Sequence, residues 1–147
     1  PVGLLADLDV VGAGAVLYLR LWLDGPQARA KVAYDFDLAL GYEQGLKAFQ
    51  CFEQLCTLCL QYGRRPLVCH QLACACLGAD EACFANFIAA ATNGECEDAL
   101  MIASLLVRAD LASILTSEAQ AFGLALKRMA LTAPARTATH SNRSLFH

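Results

Sequence analysis

Apolar side chains recur at helical spacing through most of the chain. Between residues 27 and 40 they return every four positions, at Ala28, Val32, Phe36 and Leu40, with charged residues between them. This period places them on one face of an α-helix. The sequence lacks the period-two alternation that half-buried strands show. The pattern therefore predicts an all-α fold.

Helix caps, glycines and prolines divide this pattern into about six or seven helices. The predicted helices cover residues 9–23, 27–40, 42–61, 67–77, 80–92, 95–106 and 110–131. We expect one partly antiparallel bundle over residues 1–132, because short connections favour antiparallel neighbours. Residues 133–147 show neither periodicity nor a core pattern, and they are interpreted as an extended or flexible tail.

The first predicted helix is apolar around almost its whole circumference. A helix at the edge of a bundle buries only one stripe against its own chain. The chain is 57% hydrophobic and only 17% charged, against about 25% charged in a typical globular domain. We therefore expect a homodimer through Val10, Leu17, Leu19 and Trp22, with one self-complementary patch serving both subunits. The alternative is that the other helices wrap this one completely.

Charge and hydropathy exclude two classes of partner. The net charge is −3, with 11 basic and 14 acidic residues spread along the sequence, so no basic stripe is available to neutralise phosphates. Nucleic-acid binding is not expected. The apolar run from Val10 to Leu19 is about half of the ~20 residues that a membrane span requires. No membrane-spanning segment is expected.

Cysteine usage points to a reducing compartment. Eight cysteines would suit a small secreted disulfide scaffold, but a chain of 147 residues rich in alanine and leucine does not need one. We expect reduced thiols in a cytoplasm. Arginine outnumbers lysine and alanine is abundant, which suggests a GC-rich bacterial source.

Residues 51–83 contain seven of the eight cysteines. A predicted turn divides the stretch into a helical hairpin, with Cys56 and Cys59 on one arm and His70 and Cys74 on the other. The spacing C-x2-C-x10-H-x3-C offers thiolate and imidazole ligands for a tetrahedral Zn²⁺, and Cu(I) is also possible. These residues form the predicted metal site.

Two other interpretations of the hairpin at residues 51–76 stay open. Cys69 would be a redox-sensing thiol if Arg64 and Arg65, beside a helix N-terminus, lowered its pKa. Alternatively, the cysteines are small apolar residues of the core. Cys74 and Cys76 point about 200° apart on a helix and cannot both serve one site, which favours the core interpretation.

The sequence lacks the motifs of common enzyme classes. It contains no G-x-S-x-G, no H-E-x-x-H and no P-loop, and His70 is the only histidine before the tail. The hypothesis is a non-enzymatic helical binding or regulatory module that self-associates. The alternative is a zinc- or copper-binding, or thiol redox-sensing, protein that uses the hairpin at residues 51–76.

Overall fold

Six α-helices form most of residues 1–132, which are the residues that this computed structural model describes. The helices are α1 (Val10–Leu23), α2 (Pro26–Leu40), α3 (Tyr42–Tyr62), α4 (Ala79–Thr92), α5 (Cys96–Leu106) and α6 (Ala112–Thr132). The prediction of an all-α helical bundle is confirmed. The predicted tail, residues 133–147, lies outside the described residues. Within residues 1–132, none of the helices combines the length and the apolar character needed to cross a membrane.

Helix ends fall where local chemistry places them. The Asp9 carboxylate accepts a hydrogen bond from the Gly12 N–H at 2.7 Å and caps α1. Pro26 occupies the first turn of α2, where its missing N–H costs nothing. Gly41, at a φ of 85°, is both the last cap of α2 and the first cap of α3. Because glycine has no Cβ, it adopts this angle without strain.

The centre of the core is a group of aromatic rings. Phe36 of α2, Phe52 of α3 and Phe122 of α6 are fully buried. The Phe52 and Phe122 rings stack at 4.7 Å between centroids. Tyr18 and Trp22 of α1 pack edge-on against this group, at 5.1 Å from Phe36 and 5.7 Å from Phe52. Such pairs contribute about 0.5–1.5 kcal/mol each beyond their area burial, so they fix α1, α2, α3 and α6 together.

Helix α4 lies among α1, α5 and α6. Its residues Phe84, Phe87 and Ile88 are completely buried. At its end, a methyl group added to Gly123 of α6 would overlap the Thr92 side chain. Glycine at this position therefore allows α4 and α6 to approach closely.

The predicted helix at residues 67–77 is wrong. Residues 63–75 form an irregular segment, here called the cysteine loop, followed by the two-residue strand β2 (Cys76–Leu77). Strand β2 pairs antiparallel with β1 (Gly3–Leu4). The Gly78 backbone precedes α4, so Gly78 and not Asp80 is its N-cap. The physical reason is tertiary: other elements bind the polar backbone groups of the loop, which removes the need for helical hydrogen bonds.

The prediction that α1 presents Leu19 and Trp22 to a second subunit is also wrong. Leu19 is 2% exposed and Trp22 is 4% exposed, and the Arg29 guanidinium covers the Trp22 ring at 4.1 Å from its centroid. At these two positions the helix is wrapped by its own chain. Only Val10 and Leu17 of the predicted interface remain exposed, at 65% and 36%. The homodimer itself stays a prediction.

Candidate functional site

A buried ion pair holds the cysteine loop against the helices. Arg20 of α1 donates from Nε to Glu81 Oε2 at 2.6 Å and from Nη2 to Glu81 Oε1 at 3.0 Å. The two side chains are 1% and 0% exposed. Two ions removed from water are stable only when further hydrogen bonds satisfy the rest of their polar atoms.

The loop backbone supplies these further hydrogen bonds. Arg20 Nη1 donates to the Cys74 carbonyl at 2.7 Å, and Nη2 donates to the Cys76 carbonyl at 2.8 Å. Glu81 accepts from the backbone N–H groups of Gly78 at 2.9 Å and His70 at 3.2 Å. Each ion therefore satisfies backbone groups that a helix would otherwise have paired.

Asp80 holds the start of the loop in the same way. Its Oδ2 accepts from the Val68 N–H at 2.7 Å and from Arg65 Nη1 at 2.9 Å, and its Oδ1 accepts from Arg65 Nη2. Burial alone would raise the pKa of this carboxyl, but the hydrogen bonds from Arg65 and Val68 lower it below the usual value. The pKa of Glu81 is lowered against burial by Arg20 and the backbone donors. Both carboxylates are therefore held in the charged form.

The structure brings together only two of the predicted metal ligands. His70 Nδ1 and Cys74 Sγ lie 3.7 Å apart in the loop, whereas Cys56 and Cys59 are buried in the core on α3. Burial raises the pKa of the Cys59 thiol to about 12 and that of Cys56 well above its usual range. Within residues 1–132, no group of three or more histidine, cysteine, aspartate or glutamate side chains is arranged to hold a metal ion. The zinc or copper site stays a prediction that this arrangement does not support.

The surroundings of Cys69 differ from those expected of a redox thiol. Burial and the neighbouring Glu81 carboxylate raise its pKa to about 11. No helix begins at Cys69, and the two arginines are engaged elsewhere: Arg64 donates to the Ser104 carbonyl at 2.6 Å, and Arg65 pairs with Asp80. The thiolate form is thus disfavoured at neutral pH, although reactive thiols require it.

A groove between α3 and α6, which sequence reasoning missed, has the properties of a binding surface. It encloses about 480 Å³. Its apolar lining comes from the end of α2, from α3 and from α6: Leu40, Ala48, Ala121, Leu124, Ala125 and Leu131. Leu124 and Leu131 are 46% and 80% exposed, so the groove offers leucine side chains to a partner. We call this surface the basic groove, because the charged side chains on its rim are cationic.

Three cationic side chains rim the basic groove: Lys47 of α3, and Lys127 and Arg128 of α6. Arg128 Nη1 donates to Gln44 Oε1 at 3.3 Å. Among residues 1–132, the ion pairs are Arg20–Glu81, Arg65–Asp80 and Arg108–Asp110, so none of them involves a rim cation. The charges of the rim are therefore available to an acidic partner.

The wall of the groove also contains a thiol. Burial, together with the Glu118 carboxylate, raises the pKa of Cys51 to about 11. The thiol is therefore neutral at pH 7 and belongs to the apolar lining.

One sequence signal does point to the basic groove. Leu124, Lys127, Arg128 and Leu131 follow the spacing i, i+3, i+4, i+7, which places them on one face of α6. That Lys47 joins them depends on the packing of α3 against α6, which local spacing does not reveal.

Comparisons with protein-family models, with curated proteins and with solved structures found no match for this chain.

Proposed function

We propose that this chain is a non-enzymatic helical binding module that associates with further copies of itself and binds through the basic groove. One observation carries the proposal. The groove combines exposed leucines with Lys47, Lys127 and Arg128, which have no carboxylate partner within residues 1–132.

The chemistry of the groove defines the occupant. Burying the exposed parts of Leu124 and Leu131 stabilises a complex by about 25 cal/mol per Å² of apolar surface. The rim cations contribute less affinity, but they select an occupant that carries carboxylates and they accelerate its encounter. The groove therefore fits an apolar segment with negative charge beside it.

Self-association follows from the apolar character of the whole surface. With 17% charged residues, and with Met101, Leu105 and Leu131 each more than 60% exposed, the helices leave apolar side chains that a partner would cover.

The metal and redox alternatives remain predictions from the sequence. The contact between His70 and Cys74 favours them, but the burial of Cys56 and Cys59 and the raised pKa of Cys69 do not. Elemental analysis of the purified protein, with His70→Ala as the control, tests the metal alternative, and a count of titratable thiols in the native protein tests the redox alternative.

Anilinonaphthalene sulfonate, an apolar dye with one negative charge, tests the basic groove directly. We expect dye fluorescence to saturate with the native protein and the affinity to fall about tenfold in Lys127→Glu/Arg128→Glu, because two attractive charges become repulsive. Leu124→Gln should also weaken binding.

Matched controls lie outside the groove. Lys31→Glu alters an exposed lysine of α2, and Leu60→Gln alters an exposed leucine of α3. Both should bind the dye like the unmodified protein. Equal affinity in the groove variants and in these controls would refute the proposed binding surface.

A further inference from the structure

We propose that the occupant of the basic groove is helix α5 of a second copy of this chain, so that copies associate head to tail. This inference rests on the proposed function of the groove and names its partner. It follows from a second surface of opposite charge, which we call the acidic face: Glu97, Asp98, Met101 and Leu105 of α5.

The acidic face has the composition that the groove requires. Met101 and Leu105 are 64% and 67% exposed, and Glu97 and Asp98 are exposed in the first turn of α5. Glu97, Met101 and Leu105 follow the spacing i, i+4, i+8, so they lie along one side of the helix. Glu95, just before α5, adds a third exposed carboxylate. Carboxylates thus stand at one end of an apolar stripe.

The two surfaces match in length and in charge. Along a helix rising 1.5 Å per residue, Glu97 and Leu105 are about 12 Å apart, and Leu124 and Leu131 are about 10 Å apart. The charges match in number, with three of each sign. The acidic face would pair Glu95, Glu97 and Asp98 with the rim cations Lys47, Lys127 and Arg128.

Two further grooves do not offer this complementarity. The groove between α4 and α5, about 370 Å³, is lined by Glu95, Asp98 and Met101 and is part of the acidic surface. The groove formed by α1, α2 and α6, about 320 Å³, carries Asp35. An acidic helix is attracted only to the basic groove among these three.

The contact must be between copies. In its own chain α5 packs against α4 and α6, and no residue of α5 lines the basic groove. Each copy therefore carries one groove and one acidic face at different places. Such a contact joins two different surfaces, and it closes into a ring of two or more copies or extends into an open chain, depending on the rotation between neighbours.

Two full-length variants block one surface each. Leu124→Glu/Lys127→Glu blocks the groove, and Met101→Lys/Leu105→Lys blocks the acidic face. All four positions are exposed, so circular dichroism should show folded protein. By sedimentation velocity, we expect the mass of the unmodified chain to rise with concentration beyond that of a monomer. Each variant alone should stay monomeric.

The 1:1 mixture of the two variants decides the geometry. The first still has an intact acidic face and the second an intact groove, so one contact remains possible and the mixture should stop at a heterodimer. Raising the salt from 50 to 500 mM should weaken this contact about tenfold, because the rim charges become screened.

Val10→Lys/Leu17→Lys separates the proposed contact from pairing through α1, because it places two charges on the exposed side of that helix. It should associate like the unmodified chain. Four results would overturn the inference. The Val10→Lys/Leu17→Lys variant could fail to associate, or either blocked variant could associate on its own. The unmodified chain could stay monomeric at 500 µM, or the mixture could stay monomeric.

The dye experiment keeps the two proposals separate. If the groove variant loses dye binding while self-association is unchanged, the groove binds another partner. In that case only α5 is excluded as its occupant. If dye binding is unaffected by the groove variant, the proposed function itself fails.

Discussion

Charged side chains behave differently in two regions of the molecule, the cysteine loop and the basic groove. Next to the loop, Arg20 of α1 and Glu81 of α4 are almost wholly buried, and their polar atoms bind each other and the backbone. At the groove, Lys47 and Lys127 are exposed and lie beside apolar side chains. Buried charges thus determine the path of the loop, whereas exposed charges leave a surface ready for a partner. Substitutions in the first region should affect folding, and substitutions in the second should affect binding.

The largest expected effect comes from breaking the buried ion pair. Glu81→Ala leaves the Arg20 guanidinium buried without its counter-charge, which typically costs about 3–5 kcal/mol. Urea denaturation measures the loss. The double variant Arg20→Met/Glu81→Leu leaves no uncompensated charge but also removes the partners of four backbone groups, so its loss measures these hydrogen bonds without the charge. If Glu81→Ala cost under about 1 kcal/mol, the pair would not hold the loop.

Asp80→Ala should have a smaller effect on the same loop. It removes the acceptor for the Val68 N–H and the partner of Arg65, and an unsatisfied polar group costs about 1–3 kcal/mol. Because the Arg65 side chain is largely exposed, the guanidinium stays hydrated and most of the loss comes from Val68. Arg65→Ala should therefore cost less stability than Asp80→Ala. The reverse order would mean that Arg65, and not Val68, accounts for most of the loss.

Acid should lower the stability that the two carboxylates give to the cysteine loop. The pKa values of Asp80 and Glu81 are lowered in the folded state, so their contribution is fully present above their ordinary values of about 4. It is lost as the pH falls through the lowered values. Urea midpoints should be level from pH 7 to about pH 5 and then fall. Asp80→Asn, which does not titrate, should show a shallower fall, and an equal fall would contradict the assignment.

The smallest effect on stability should come from the rim of the basic groove. Lys127→Glu changes an exposed side chain, and surface substitutions usually alter stability by no more than about 0.5 kcal/mol. The same change should weaken dye binding severalfold. A loss of stability comparable to that of Asp80→Ala would mean that the rim supports the fold, which would remove the contrast between the two regions.

The fold could be predicted wherever the information is local. Helix caps, glycines and prolines, together with the four-residue period of α2, place the ends of the six helices within a residue or two. These features depend on neighbours in the sequence, and the structure agrees with them.

Prediction failed where distant residues decide the structure. Residues 67–77 have the composition of a helix, but Arg20 and Glu81, 61 positions apart, bind the backbone of this segment instead. Leu19 and Trp22 follow the same rule, since only the packing of other helices decides whether a mostly apolar α1 is central or interfacial. The basic groove was missed because Lys47 and Lys127 meet only through tertiary packing.

The carboxylates of Asp80 and Glu81 have a consequence for hydrogen exchange. They accept the backbone N–H groups of Val68, His70 and Gly78, so these amides should exchange slowly although they belong to no helix and no strand. Their protection reports local opening of the loop, separately from global unfolding. Glu81→Ala, which removes both acceptor oxygens, should release His70 and Gly78 while leaving Val68 protected by Asp80. These three amides thus form two exchange groups, each controlled by one carboxylate.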